Sequence, residues 1–145
     1  MQITTATAQS RNDIIDLLQS QKLPTADLPP VLADFYTITE DGKVIGAIGM
    51  ERYSHYGLLR SMVVHPEYRN QQIAATLVQQ LEKQAASSGI KVLYLLTETA
   101  DQYFSRKGYH TISRDEVPDE VKGSSEFSHV CPVSAVVMKK VLASV

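Results

Sequence analysis

The chain has one cysteine, Cys131, among 145 residues. It can form no internal disulfide and cannot build a cysteine-based metal site alone, so no metal is expected and a reducing, cytoplasmic compartment is the natural one. No apolar run approaches the length that spans a bilayer, and the opening MQITTATAQS lacks both the basic and the apolar stretch of a secretory leader. No membrane association is expected. Charge imbalance is also missing: 14 basic and 16 acidic residues leave a net charge of −2, which speaks against a sequence-independent nucleic-acid binder. Internal repeats, heptads and low-complexity tracts are absent. What is present is a chain 43% hydrophobic and 21% charged, long enough for one full core and too short for two comfortable ones. Residues 1–145 are therefore read as a single soluble domain.

Ser10 followed by Asp13 looks like a capping box, and Ile14, Leu17 and Leu18 recur at helical spacing, which predicts a helix over 11–21. LPTADLPPVL, with prolines at 24, 29 and 30, is a loop. FYTITE over 35–40 alternates, Asp41-Gly42 is a hairpin turn signal, and KVIGAIGMERY resumes as a strand. GLLRSMVVHP makes a third strand in the same meander. Ala74, Leu77, Val78, Leu81 and Ala85 mark a helix that ends at Ser87, Ser88 and Gly89. KVLYLLTET is nearly continuous in apolar residues, as in a strand buried beside a parallel neighbour. A short helix stopped by Gly108, a strand YHTISR, a loop over 115–133 and a last strand SAVVMKKVL follow. The fold class is α/β, or α+β by some conventions, with a central strand, helix and strand unit in a mixed sheet.

Between the third strand and the second helix stands VVHPEYRNQQIA. A helix start gathers unpaired backbone N–H groups and the positive end of a macrodipole, which suits an anion. Arg69, Asn70, Gln71 and Gln72 are thus either a phosphate cradle or a polar cap, and spacing leaves both open. His55 and His65 are read as loop residues.

The same stretch resembles the acetyl-CoA-binding motif of the GNAT superfamily of N-acetyltransferases, written V-x-P-x-x-R-G-x-G-x-G/A. Val64, Pro66, Arg69, Ile73 and Ala74 fall in register, while Asn70 and Gln72 stand where the family most often has glycine. The element order also resembles the GNAT fold: a mixed central sheet with an antiparallel meander, a splayed parallel strand pair and flanking helices. The resemblance implies acetyl-CoA as cosubstrate, with a pyrophosphate held by Arg69, Asn70, Gln71, Gln72, Ile73 and Ala74. It also implies that the pantetheine arm pairs with the main chain of Met62, Val63 and Val64 as an extra strand would. Phe104 falls in the register where the family commonly places a tyrosine as acid, and it is assigned to the cofactor; neighbouring Tyr103 becomes the candidate acid.

For the acceptor, Arg60 either snorkels to a helix edge or pairs with an acid such as Glu51, or clamps a substrate carboxylate. In a regular strand Arg60 and Ser61 would face opposite sides. Glu51, at the end of the second strand of the meander, and Glu98 are the carboxylates placed to act as base, and Glu51 is preferred. Ser61, Thr97 and Phe127 complete the expected acceptor pocket. EFSHVCPVSAVVM, with LLRS and YLLTETADQYF, resembles a small GNAT subgroup encoded beside arsenic-resistance genes, which implies a small amine or a toxic amino-acid analogue as acceptor. Cys131 is read as a small buried hydrophobe, not a nucleophile. A homodimer follows by analogy. The alternative is a catalytically degenerate GNAT that acts as a CoA-binding or regulatory module.

Overall fold

Asp41 and Gly42 both have positive φ, 52° and 78°, the backbone that a type I′ hairpin turn demands. The turn joins β2 (Phe35–Glu40) to β3 (Lys43–Tyr53), which pair antiparallel from Glu40↔Lys43 to Phe35↔Gly49. The computed structural model describes residues 2–23, 25, 28–69, 72–124 and 135–142. Its remaining strands are β1 (Gln2–Thr5), β4 (Tyr56–Val64), β5 (Val92–Thr97), β6 (His110–Ile112) and β7 (Val136–Val141). Its helices are α1 (Arg11–Ser20), α2 (Ile73–Ser87), α3 (Asp101–Arg106) and α4 (Asp119–Lys122). The seven strands follow the order β1-β2-β3-β4-β5-β7-β6.

The chain forms two compact units, Met1–Met50 with Arg60–Gln84, and Glu51–Leu59 with Ala85–Val145. In the first, β1 pairs antiparallel with β2, a strand that sequence reading does not find because QITT is short and mostly exposed. Ile14, Leu17 and Leu18 of α1 bury against Phe35, Val44, Ala47 and Val63. The expected capping box is absent. Ser10 is the N-cap residue but makes no side-chain cap bond; its hydroxyl donates to the Thr7 carbonyl and accepts from the Thr7 N–H at 2.9 Å, so a preceding turn has claimed it.

Gly46 and Gly49 of β3 mark close approaches. Phe35 lies across the Gly49 backbone, where a Cβ would meet ring carbons at 2.3 Å. At Gly46 a Cβ would stand 2.9 Å from Ile73 Cγ2 and 3.2 Å from Leu77 Cδ1, so the first turns of α2 rest directly on the β3 backbone.

In the second unit β4 and β5 pair in parallel through Tyr56↔Val92, Gly57↔Leu93 and Leu58↔Tyr94. The strand β7 pairs antiparallel with β5 along its whole length and with β6 on its other side. The final strand thus inserts between two earlier ones and leaves β6 at the edge. Leu58, Tyr94, Val117, Val121 and Val137 form the core of this unit; Val117 and Val121 come from a segment read in the sequence as loop, where α4 forms. Burial pushes the Tyr94 phenol above its ordinary value, with Tyr56 adding to the rise, so Tyr94 stays neutral and its contribution is lost only in strong alkali.

Gly46→Ala should lower stability by about 1–3 kcal/mol, because β-branched Ile73 has no free end to swing aside. Urea denaturation measures this, and an unchanged midpoint would show that α2 can retreat from β3 without loss.

Candidate active site

Named contacts fix the path that leaves β4 as far as Arg69. Val63 is core, 4% exposed. The His65 N–H donates to the Ile45 carbonyl at 2.7 Å, and Ile45 is the residue skipped where the β2–β3 register shifts. Pro66 then opens a single 3-10 turn, Pro66–Tyr68, a place where its missing N–H costs nothing. The His65 ring nitrogen Nδ1 accepts from the Glu67 N–H at 3.2 Å. Arg69 is extended, φ −67° and ψ 155°, and its Nη2 donates to Gln21 Oε1 at 2.8 Å.

Gln72 has φ +64°, in the left-handed region that glycine enters freely and other residues enter at about 1–2 kcal/mol. Its carbonyl accepts from the Thr76 N–H at 3.0 Å and the Thr76 hydroxyl at 2.9 Å, so Gln72 ends the turn and starts the helix. Gln72 is exposed, Ile73 is buried at 3% and Ala74 is half-buried. No acidic residue occupies the first turn of α2, which leaves the positive end of its dipole unneutralised by the helix itself. Asn70 and Gln71 lie outside the described residues.

Along β4, Arg60 is buried at 3% and its Nε donates to Ser61 Oγ at 3.1 Å. The expectation that these side chains face opposite sides is corrected. Ser61 has φ +57°, which breaks the pleat and brings two consecutive side chains together. Met62 and Val64 are half-buried.

The second unit carries the other candidates. Glu51 accepts from the Tyr53 hydroxyl at 2.8 Å. Thr97 ends β5, and its Oγ1 accepts from the N–H groups of Ala100 at 2.9 Å and Thr99 at 3.4 Å, a local turn that leads into α3. The Tyr103 hydroxyl is buried, and its ring stands edge-on to Phe104 with centroids 5.3 Å apart. Phe104 is 3% exposed and meets Tyr109 edge-on at 5.3 Å, so its ring is part of the core. Phe127 and Cys131 lie outside the described residues. Among the described residues no cluster of His, Cys, Asp and Glu could hold a metal ion, and no helix is long and apolar enough to cross a membrane.

Sequence reasoning missed three features: the left-handed residues Ser61 and Gln72, and His65 as a cap. The pairing of Gln72 with a glycine position of the motif was the one available signal.

The family model described as "Acetyltransferase (GNAT) family" matches residues 10–110, and the chain belongs to that family. An amino-acid acetyltransferase of Vibrio atlanticus is 29% identical over 91 residues, 61% of this chain and 20% of the relative. The chain therefore spans about a fifth of the length of the curated relatives it matches. Among solved structures, N-acetylglutamate synthase from Neisseria gonorrhoeae, complexed with coenzyme A and N-acetyl-glutamate, superposes with a TM-score of 0.84 at 18% identity, over 98% of this chain and 35% of that one. A Mycobacterium tuberculosis protein in complex with CoA superposes at 0.80 and 19% identity, over 99% of this chain and 100% of that one. These likenesses establish the GNAT fold, a mixed sheet with one parallel pair and flanking helices.

Gln72→Gly should raise stability by less than about 1 kcal/mol, since relief of the left-handed strain is partly offset by the greater freedom of glycine in the unfolded chain. Gln72→Val should lose about 1–2 kcal/mol, a β-branched residue being the poorest fit to that backbone. Thermal melts of the pair test this; equal melting points would mean that residue 72 is not held at positive φ.

Proposed function

We propose that this chain, as a single domain over 1–145, is an acetyl-CoA-dependent N-acetyltransferase that acetylates the amine of a small amino acid or amino-acid analogue in the cytoplasm, as a homodimer by analogy. The observation that carries the reading is Gln72: it stands where the motif most often has glycine and holds φ +64°, a region that glycine enters freely. A backbone cradle uses main-chain N–H groups, which every residue but proline supplies.

In this reading Arg69 and the main chain from Asn70 to Ala74 hold the pyrophosphate, and the main chain of Met62, Val63 and Val64 pairs with the pantetheine arm. The second assignment is supported by the positive φ of Ser61, which interrupts the regular pleat of β4 just before these residues, and by the parallel pairing of β4 with β5, which runs over Tyr56, Gly57 and Leu58. Phe104 would pack near the cofactor. Glu51, directly or through a water, would take the proton that leaves the substrate ammonium. The neutral nitrogen then attacks the thioester carbon, a C–N bond forms as the C–S bond breaks, the departing thiolate takes a proton from Tyr103, and the acylated nitrogen gives its surplus proton to the resulting tyrosinate, directly or through water. Most of the acceleration would come from positioning. Arg60 would hold the acceptor's carboxylate, with Ser61 orienting its guanidinium and Thr97 and Phe127 bounding the pocket. The amino-acid acetyltransferases among its relatives and the resemblance to the arsenic-resistance subgroup both favour that acceptor class.

Release of free thiol from acetyl-CoA, followed with a thiol-reactive dye across a panel of amines, is the direct assay. Amines that bear a carboxylate should be preferred, and Arg60→Ala should lower kcat/KM for them by about 10- to 100-fold, the loss of a charge-assisted hydrogen bond. Equal loss for amines without a carboxylate would remove Arg60 from acceptor recognition.

A second reading, a CoA-binding module without transfer activity, is favoured by Phe104, which puts a hydroxyl-free ring in the register of the family's usual tyrosine. Tyr103→Phe separates the two for the thiolate's proton. A drop in kcat of about a hundredfold at unchanged acetyl-CoA affinity is expected; an unchanged kcat would exclude Tyr103 as acid. Cofactor binding with no thiol release from any amine would leave the module.

A further inference from the structure

The turn that leads into α2 is held at its start by a side chain that titrates. His65 Nδ1 accepts from the Glu67 N–H at 3.2 Å, while its own backbone N–H is anchored on Ile45 at 2.7 Å. An acceptor at Nδ1 requires that nitrogen to be unprotonated, with the ring proton on Nε2. The imidazolium carries a hydrogen on both nitrogens, so Nδ1–H and the Glu67 N–H would then face each other as two donors with no acceptor between them.

We propose that His65 is a positioning residue whose unprotonated Nδ1 holds the Pro66–Tyr68 turn in shape, and that its protonation loosens the turn and weakens binding of the CoA pyrophosphate. The second half rests on the functional reading above; the first does not. His65 lines a cavity of about 430 Å³ together with Asp13 and Asp16 of α1 and Lys43 of β3. Within the turn, Tyr68 stands edge-on to the imidazole at 5.7 Å, and Glu67 supplies the N–H at issue. The sign follows: the cap is intact while the ring is neutral and is lost as pH falls through the imidazole titration.

The test has two arms. In the wild-type protein, the backbone amide resonance of Glu67 should shift with the same midpoint as the His65 ring in an NMR titration, and its protection from hydrogen exchange should fall with protonation. An amide that ignores the His65 titration overturns the cap, whether or not cofactor binds. The second arm uses CoA and calorimetry on wild type and His65→Asn, whose carbonyl is a cap acceptor that does not titrate. Between about pH 7.5 and pH 5.5, spanning the range where imidazoles charge, the ratio of the two Kd values should move against wild type by about fivefold, the worth of one cap. Taking the ratio cancels protonation of the CoA phosphates. Equal pH profiles for the two proteins would refute the coupling to binding. Absence of CoA binding to either protein would count against the functional reading, with the Glu67 amide still deciding the cap.

Discussion

The approach of α2 to the bare backbone of β3 at Gly46 fixes both ends of the turn between β4 and α2. Ile73, the first residue of α2, and Leu77 one turn on both touch that position, and the Val63 carbonyl of β4 lies 3.5 Å from where its Cβ would be. The chain must therefore leave Val63 and return at Ile73 across a gap set by core packing. Among the described residues of that gap are a proline-started 3-10 turn, an extended arginine and the left-handed Gln72. The positions of the turn's two ends thus follow from the core.

Where local chemistry dictates one conformation, the sequence was readable. Asp41-Gly42 announces its turn because both residues tolerate positive φ, and the stripes of α1 and α2 and the apolar run of β5 each match one burial pattern. Legibility fails where tertiary contacts choose. The strand β1 forms because β2 offers a free edge, and QITT by itself carries no such signal. The position of β7 between β5 and β6 is set by pairing over distance. In the site, the motif register could be aligned, and it held the one signal for Gln72, its place at a glycine of the motif; Ser61 at positive φ had no such signal, because its side chain does not favour that region. The break at Ser61 also defeats the alternation from which opposite faces for Arg60 and Ser61 were inferred. His65 looked like a loop residue because a cap acceptor has no periodicity.

A chain with net charge −2 is no obvious partner for a polyanion, yet screening confines exposed charges to a range of about 8–10 Å at ordinary ionic strength. What counts is the neighbourhood of the turn. There the first turn of α2 contains no carboxylate, and Arg69 is hydrogen-bonded to the neutral amide of Gln21, a partner that orients its guanidinium without cancelling its charge. Asp13 and Asp16 line the same cavity as His65.

Replacing the motif's glycine by Gln72 changes more than the folded state. Glycine would make the left-handed backbone free of strain but would leave the turn many alternatives when no ligand is bound. Glutamine accepts about 1–2 kcal/mol of strain and narrows those alternatives, while the Thr76 N–H and hydroxyl on its carbonyl help hold the strained conformer. Such a turn loses less conformational freedom on binding than a glycine-rich one, so part of the strain is returned as a smaller ordering cost when an anion arrives. The missing glycine is therefore compatible with an unimpaired cradle, provided that the exposed Gln72 side chain stays clear of the phosphate and the anchors at Gly46, Ile45 and Thr76 hold.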